Sequence, residues 1–202
     1  MINIALAKGR LADDMLEKLQ AMGITFPDYS EKSRKLIFQD KTGKICIVFV
    51  KPSDVAIYVE KGACDMGVAG RDTLMEAQPD VYEMLDLGYG KCRFAVAALH
   101  DFVKTPNQKI RVATKYPNVA KSYFEKNGQQ IEIIKINGSV ELAPLMGLAD
   151  MIVDIVETGA TLKENGLVVV DDIAEVSARL IVNKVSLKTK QEEITNLIYK
   201  LR

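Results

Sequence analysis

Short apolar runs alternate with stretches of helical period along most of the chain. Ile2 to Leu6, Ile45 to Val50, Arg93 to Leu99, Ile110 to Thr114, Ile131 to Ile136, Met151 to Val153 and Ala178 to Val182 each read as a strand. The run Ile45-Cys46-Ile47-Val48-Phe49-Val50 is apolar throughout, as a strand covered on both faces requires. Helical spacing follows several of these runs. It is carried by Leu11, Met15, Leu16 and Leu19, by Val55 to Val59 ahead of Gly62, by Tyr116 to Asn127, by Ser139 to Met146 ahead of Gly147, and by Lys190 to Leu201. Pro52 suits the first turn of its helix, and Gly147 suits the left-handed position that ends one. Asp40 to Lys44 is a turn between two apolar runs and predicts a hairpin. The alternation as a whole predicts an α/β protein with mostly parallel sheets.

Two lobes are expected. Residues 1–90 with 167–202 make the first, which looks incomplete without its returning segment; residues 91–166 make the second. One pattern occurs in both: a helix, a glycine, two residues, Asp-Met, an apolar strand, a polar turn and Thr-Leu. It ends once at Thr73-Leu74 and again at Thr161-Leu162, and suggests one unit used in each lobe.

Composition narrows the functions open to such a chain. The 27 bases balance 27 acids, so no basic surplus points to nucleic acid as the main partner. The one histidine, His100, excludes a multi-histidine metal site and falls in a polar stretch after a strand. Cys46, Cys64 and Cys92 lie in or beside apolar runs without CxxC spacing and read as reduced thiols of a cytoplasmic protein. The amino terminus enters a strand directly, without the pattern of a signal peptide, and no apolar run is long enough to cross a bilayer.

The candidate chemistry concentrates at Glu141 to Leu162. Asp154 follows a short buried strand, and Thr158-Gly159-Ala160-Thr161 opens onto a helix. N–H groups at a helix start lack intrahelical partners and favour anions. Gly159 lets an anion approach the backbone, and the hydroxyls of Thr158 and Thr161 can donate to it. Asp154 and Glu157 are poor neighbours for phosphate but good acceptors for sugar hydroxyls. A phosphate cradle beside hydroxyl acceptors suits a 5-phosphoribosyl group; a capped helix after a core strand would need the same residue types. Lys8-Gly9-Arg10 at the first strand-to-helix turn is a second setting for an anion or a plain solvated turn.

The spacing Glu141, Gly147, Ala149, Ile152, Asp154, Thr158-Gly159-x-Thr161-Leu162 closely resembles the signature of the ATP phosphoribosyltransferases, which open histidine biosynthesis. Lys8-Gly9-Arg10-Leu11, Ser33-Arg34-Lys35-Leu36-Ile37-Phe38 and Cys64-Asp65-Met66-Gly67 through Gly70-Arg71-Asp72 resemble further segments of that family. The resemblance implies a two-lobed, periplasmic-binding-protein-like type II fold with a cleft between lobes. The reaction it implies joins N1 of ATP to C1 of 5-phosphoribosyl 1-pyrophosphate. By resemblance, Glu141, Asp154, Glu157 and Thr158 to Thr161 would bind phosphoribosyl pyrophosphate. Arg34 and Lys51, with substrate-bound Mg²⁺, would meet its pyrophosphate; the family often has arginine where Lys51 stands. Lys8, Gly9, Arg10, Asp65, Gly70 and Asp72 would line the ATP side. The length resembles the short form of the family, which implies a homodimer joined to a regulatory subunit similar to histidyl-tRNA synthetase. No nucleic acid, membrane or protein-held metal is expected. A ligand-binding module of the same fold, or a phosphoribosyltransferase for another base, are the competing readings.

Overall fold

The computed structural model describes residues 1–30, 32–103 and 109–202. The chain forms two units, residues 1–90 with 177–202, and residues 91–176.

The first unit is built on β1 (Ile2–Ala7), α1 (Arg10–Ala21), β2 (Ile37–Gln39), β3 (Ile45–Val50), α2 (Val55–Glu60), β4 (Met66–Gly70), α3 (Arg71–Ala77) and β5 (Tyr82–Asp86). The second holds β6 (Cys92–Leu99), β7 (Ile110–Thr114), α4 (Pro117–Lys126), β8 (Ile131–Lys135), α5 (Leu142–Leu145), β9 (Met151–Val156), α6 (Ala160–Glu164) and β10 (Leu167–Val176). The chain then returns to the first unit with β11 (Ala178–Val182), α7 (Lys184–Thr189) and α8 (Gln191–Leu201).

The first sheet has the order β2-β3-β1-β4-β11-β5, and the second β10-β6-β9-β7-β8. β3, β1 and β4 are parallel; β11 runs antiparallel beside β4, and β5 antiparallel beside β11. β8, β7 and β9 repeat that arrangement, with β6 and β10 as the antiparallel pair. Five strands thus correspond in order and direction, and a helix follows each of the three parallel strands in both units.

The correspondence extends to single bonds, as the repeated Gly-x-x-Asp-Met pattern anticipated. Asp65 enters β4 by exchanging two bonds with Asn3 on β1: its N–H donates to the Asn3 carbonyl, and its carboxylate accepts the Asn3 N–H, both at 2.9 Å. Asp150 enters β9 in the same way. Its N–H donates to the Arg111 carbonyl at 2.9 Å, and its carboxylate accepts the Arg111 N–H at 2.8 Å. Each carboxylate carries a cation, Lys190 Nζ at 2.8 Å on Asp65 and Arg111 Nη2 at 2.7 Å on Asp150.

Hydrophobic burial follows the predicted faces. Ile4, Leu6, Met15, Leu19, Ile47, Met66, Leu180 and Ile194 are almost wholly buried in one cluster of the first unit. On the other face of that sheet, Val55, Ala56 and Val59 of α2 pack on Ala5, Ala69 and Ile181. Contact there is close at Gly67. A Cβ added to it would stand 2.8 Å from Val59 Cγ2 and 2.9 Å from Val55 Cγ1. Gly67→Ala is therefore expected to cost about 1–3 kcal/mol, the usual penalty of overpacking, read as a lower midpoint in thermal unfolding. An unchanged midpoint would mean that α2 shifts freely on β4.

Four expectations change. The return to the first unit comes at Ser177, not at residue 167. The apolar run Leu167 to Val170 is only the first part of β10, whose other residues run on beside β6 as far as Val176↔Cys92. β9 extends past Val153 to Val156, because β6 keeps pairing with it after β7 has ended at Thr114↔Val153. The helix expected over Ser139 to Met146 is confined to Leu142–Leu145, preceded by Ser139 at φ 48°. α7 was not foreseen; the Asn183 side chain starts it by accepting the N–H groups of Val185 and Ser186 at 2.9 Å.

Candidate active site

Parallel strands gather their carboxyl ends along one edge of a sheet, and the turns into the following helices share that edge. In the first unit Ala7 of β1 lies opposite Val50 of β3, so Lys8 and Lys51 emerge from neighbouring strands. Gly70 ends β4 beside them. The edge therefore collects Lys8-Gly9-Arg10, Lys51 and Gly70-Arg71-Asp72 at three helix starts. Gly9 sits at φ 118° and ψ −169°, a conformation that side chains exclude, and so lets the chain turn sharply from strand into α1. Lys51 is extended ahead of Pro52, where a single 3₁₀ turn (Pro52–Asp54) leads into α2. Asp72 folds back over Gly70, whose missing Cβ would lie 2.1 Å from Asp72 Oδ1. Arg34 lies outside the strands and is exposed. Its segment is tied to the same edge by Lys8 Nζ, which donates to the Ser33 carbonyl at 2.8 Å.

Asp65 is not on this edge. It precedes β4, five residues and roughly 16 Å of strand from Gly70. Its side chain is buried, bonded to the Asn3 N–H, the Ser186 hydroxyl at 2.7 Å and Lys190. The expected ATP contact is replaced by a structural latch. The repeated pattern already puts this acid ahead of its strand, away from the helix start; what the sequence did not show is that Ser186 and Lys190 come back to meet it.

In the second unit the residues of the signature build one core. Val140, Ala143, Ala149, Ile152, Val156 and Leu162 pack together with Ala95, Ala97 and Ala113. That packing places the start of α5, the end of β9 and the start of α6 side by side. Alternation along β9 sends Asp154 to the face of Ile152 and Val156. It is the first residue of β9 beyond the end of β7, half-buried, with Oδ1 accepting the Ile155 N–H at 2.8 Å. Glu141 immediately precedes α5 on this face, and Glu157 and Thr158 follow β9 into the exposed turn. Gly159 is left-handed at φ 79° and caps α6, which starts at Ala160. Thr158 Oγ1 accepts the Ala160 N–H at 3.3 Å, which leaves its own proton to donate. Thr161 sits in the first turn of α6, among N–H groups that an α-helix leaves without intrahelical partners.

Two residues of this edge escaped the sequence reading. Thr114 is wholly buried; its hydroxyl donates to the Val153 carbonyl at 2.6 Å and accepts the Tyr116 N–H at 2.8 Å, fixing the strand ends next to Asp154. Ser139 takes a left-handed backbone ahead of Glu141. A threonine closing an apolar strand was the only available signal for the first, and nothing in the sequence marked the second.

Two units of one topology, each with anion-suited groups on the carboxyl edge of a parallel sheet, define a two-lobed α/β protein of the type II binding-protein class. The periplasmic aliphatic sulphonate binding protein SsuA of Escherichia coli shares this fold at TM-score 0.62 and 14% identity, over 99% of this chain and 70% of that one. A chain of the ATP phosphoribosyl transferase (HisG:HisZ) complex from Thermotoga maritima matches at TM-score 0.87 and 36% identity, over 100% of this chain and 96% of that one. The ATP phosphoribosyltransferases of Clostridioides difficile and Alkaliphilus metalliredigens are 54% and 56% identical to this chain, each over 98% of it and 95% of the relative. The family model for ATP phosphoribosyltransferase matches residues 51–202. The chain belongs to the ATP phosphoribosyltransferase family. Its activity is the family's, a pentosyl transfer that begins histidine biosynthesis.

Proposed function

We propose that the chain joins ATP to phosphoribosyl pyrophosphate through the residues that the family signature and its companion segments name. Thr158, Gly159, Ala160 and Thr161 cradle the 5-phosphate. Asp154 and Glu157 accept from the ribose hydroxyls, with Glu141 beside them. Arg34 and Lys51 meet the pyrophosphate, and Gly9, Arg10, Gly70 and Asp72 border ATP. The observation that carries this reading is the placement of Asp154 and the Gly159 turn side by side, on a core made from the signature's own apolar residues.

The chemistry suits such a site. Adenine N1 brings an electron pair to C1 of the ribose; the bond from C1 to oxygen breaks, and pyrophosphate leaves with its electrons. Positive charge grows at C1 and negative charge on the leaving group. Catalysis then rests on holding two polyanions in line and on fixed charges placed where charge develops. Asp154 steadies the sugar, and Arg34 and Lys51 stabilise the leaving group. Mg²⁺ is taken to arrive on the pyrophosphate, because Arg10, Arg34 and Lys51 suit phosphate oxygens rather than a cation. When bound, the ion would neutralise part of the leaving group's charge.

Partners and location belong to the same reading. We expect a homodimer that joins a regulatory subunit similar to histidyl-tRNA synthetase, since the Thermotoga maritima structure is of a HisG:HisZ complex. Cytoplasmic residence fits a biosynthetic enzyme; no helix among the described residues is long and apolar enough to cross a membrane. The test is to mix the purified protein with ATP, phosphoribosyl pyrophosphate and Mg²⁺ and to follow phosphoribosyl-ATP by absorbance, with and without the regulatory subunit. Product in the first mixture shows a self-sufficient catalyst, and product only in the second makes the partner an activator. No product in either, with folded protein and intact substrates, overturns the assignment.

A further inference from the structure

We propose that Lys8 is a positioning residue for Arg34, and that it acts on phosphoribosyl pyrophosphate through that arginine instead of contacting ATP. The inference rests on the pyrophosphate role given to Arg34 above. Residues 32–36 contain neither strand nor helix, yet they carry a guanidinium that must be aimed. They are anchored at one end by β3, where the Phe49 N–H donates to the Leu36 carbonyl at 2.7 Å. Before them, Tyr29 stacks on Phe49 with centroids 5.6 Å apart and meets Phe38 edge-on at 5.3 Å.

Lys8 supplies the fixed point in the middle. Its ammonium donates to the Ser33 carbonyl at 2.8 Å and stands 5.7 Å from the Phe49 ring centroid. That carbonyl belongs to the planar peptide joining Ser33 to Arg34, so holding the oxygen sets the plane from which the arginine departs. Ser33 is held further by two bonds within the segment. Its N–H donates to the Ser30 carbonyl at 2.9 Å, and its hydroxyl accepts the Lys35 N–H at 3.1 Å. A lysine so committed, to a carbonyl and to an aromatic face, is placed as a strut.

The experiment compares Lys8→Met, Lys8→Arg, Arg34→Ala and the Lys8→Met/Arg34→Ala double variant in steady state, with each substrate varied in turn. Lys8→Met is expected to lower kcat/KM for phosphoribosyl pyrophosphate about tenfold while the KM for ATP stays put. Lys8→Arg should recover much of the loss, since a guanidinium also donates to a carbonyl. The double variant should be no worse than Arg34→Ala alone. If instead the KM for ATP rises in Lys8→Met, or the two losses multiply while Arg34→Ala is itself impaired, Lys8 acts independently and the proposal fails with Arg34 left in place. If Arg34→Ala has normal kinetics with phosphoribosyl pyrophosphate, the role of Arg34 falls, and that of Lys8 with it.

Discussion

Asp154→Asn is expected to reduce kcat/KM for phosphoribosyl pyrophosphate by about 10²-fold while leaving the unfolding midpoint within a degree or so. Hydrogen bonds to a charged acceptor contribute about 1.5–3 kcal/mol each, and a carboxylate facing two ribose hydroxyls can make two. An amide of the same shape keeps one acceptor oxygen but loses the charge, which matters most when C1 is most positive. The substitution does little to the fold, because Asp154 lies past the last residue of β7 and is only half-buried. Steady-state kinetics with thermal unfolding as the control would decide it. Normal turnover in a folded Asp154→Asn protein would remove Asp154 from the site.

The largest stability effect should come from the other end of the first sheet. Asp65→Asn is expected to destabilise the protein by about 2–4 kcal/mol, less than a fully buried pair because a third of Lys190 remains exposed. The midpoint should fall by roughly 5–15 °C. Burial by itself raises the pKa of Asp65, but the Lys190 ammonium, the Asn3 N–H and the Ser186 hydroxyl outweigh it and hold the carboxyl below its ordinary value. A carboxylate whose folded pKa is depressed stabilises the protein above its unfolded value, near 3.9, and loses that contribution as pH falls through the folded pKa. The wild-type protein should therefore lose stability below about pH 4, and Asp65→Asn should flatten that acid limb. Asp150→Asn should have a smaller effect, since its partner Arg111 is the more exposed cation. Equal midpoints for Asp65→Asn and wild type across pH 3–7 would show that the latch contributes nothing net.

These two acids also show what the sequence could and could not convey. Both stand next to a strand in a recognisable motif, and both read as ligands. Asp154 follows the strand's apolar half, where β9 leaves its parallel neighbour; Asp65 precedes its strand, where the chain enters the sheet. Chain order separates the two positions, but not the partners found there. Those depend on the directions and register of neighbouring strands, which are set by contacts across dozens of residues. The apolar strands, the hairpin before β3 and the Gly-x-x-Asp-Met duplication were legible, because each depends on local periodicity. β10 was not: Asp171, Asp172 and Glu175 interrupt its apolar run, in an edge strand facing water on one side, with Asp172 paired to Arg93 at 2.6 Å. Likewise, Lys8 read as an anion contact because nothing local reveals that Ser33 returns to meet it.

The late return of the chain bears on how the protein is made. Residues 91–176 are continuous, so the second unit can close as soon as β10 has left the ribosome. The first unit is synthesised earlier and finished later. β11 inserts between β4 and β5, and Lys190 reaches Asp65 across 125 positions of sequence. Until β11 arrives, β4 offers an open edge of unpaired backbone groups, an invitation to pair with a neighbouring nascent chain. The slow step in reaching the native state should thus be this final insertion, and a brake on translation before residue 178 would prolong the exposed state.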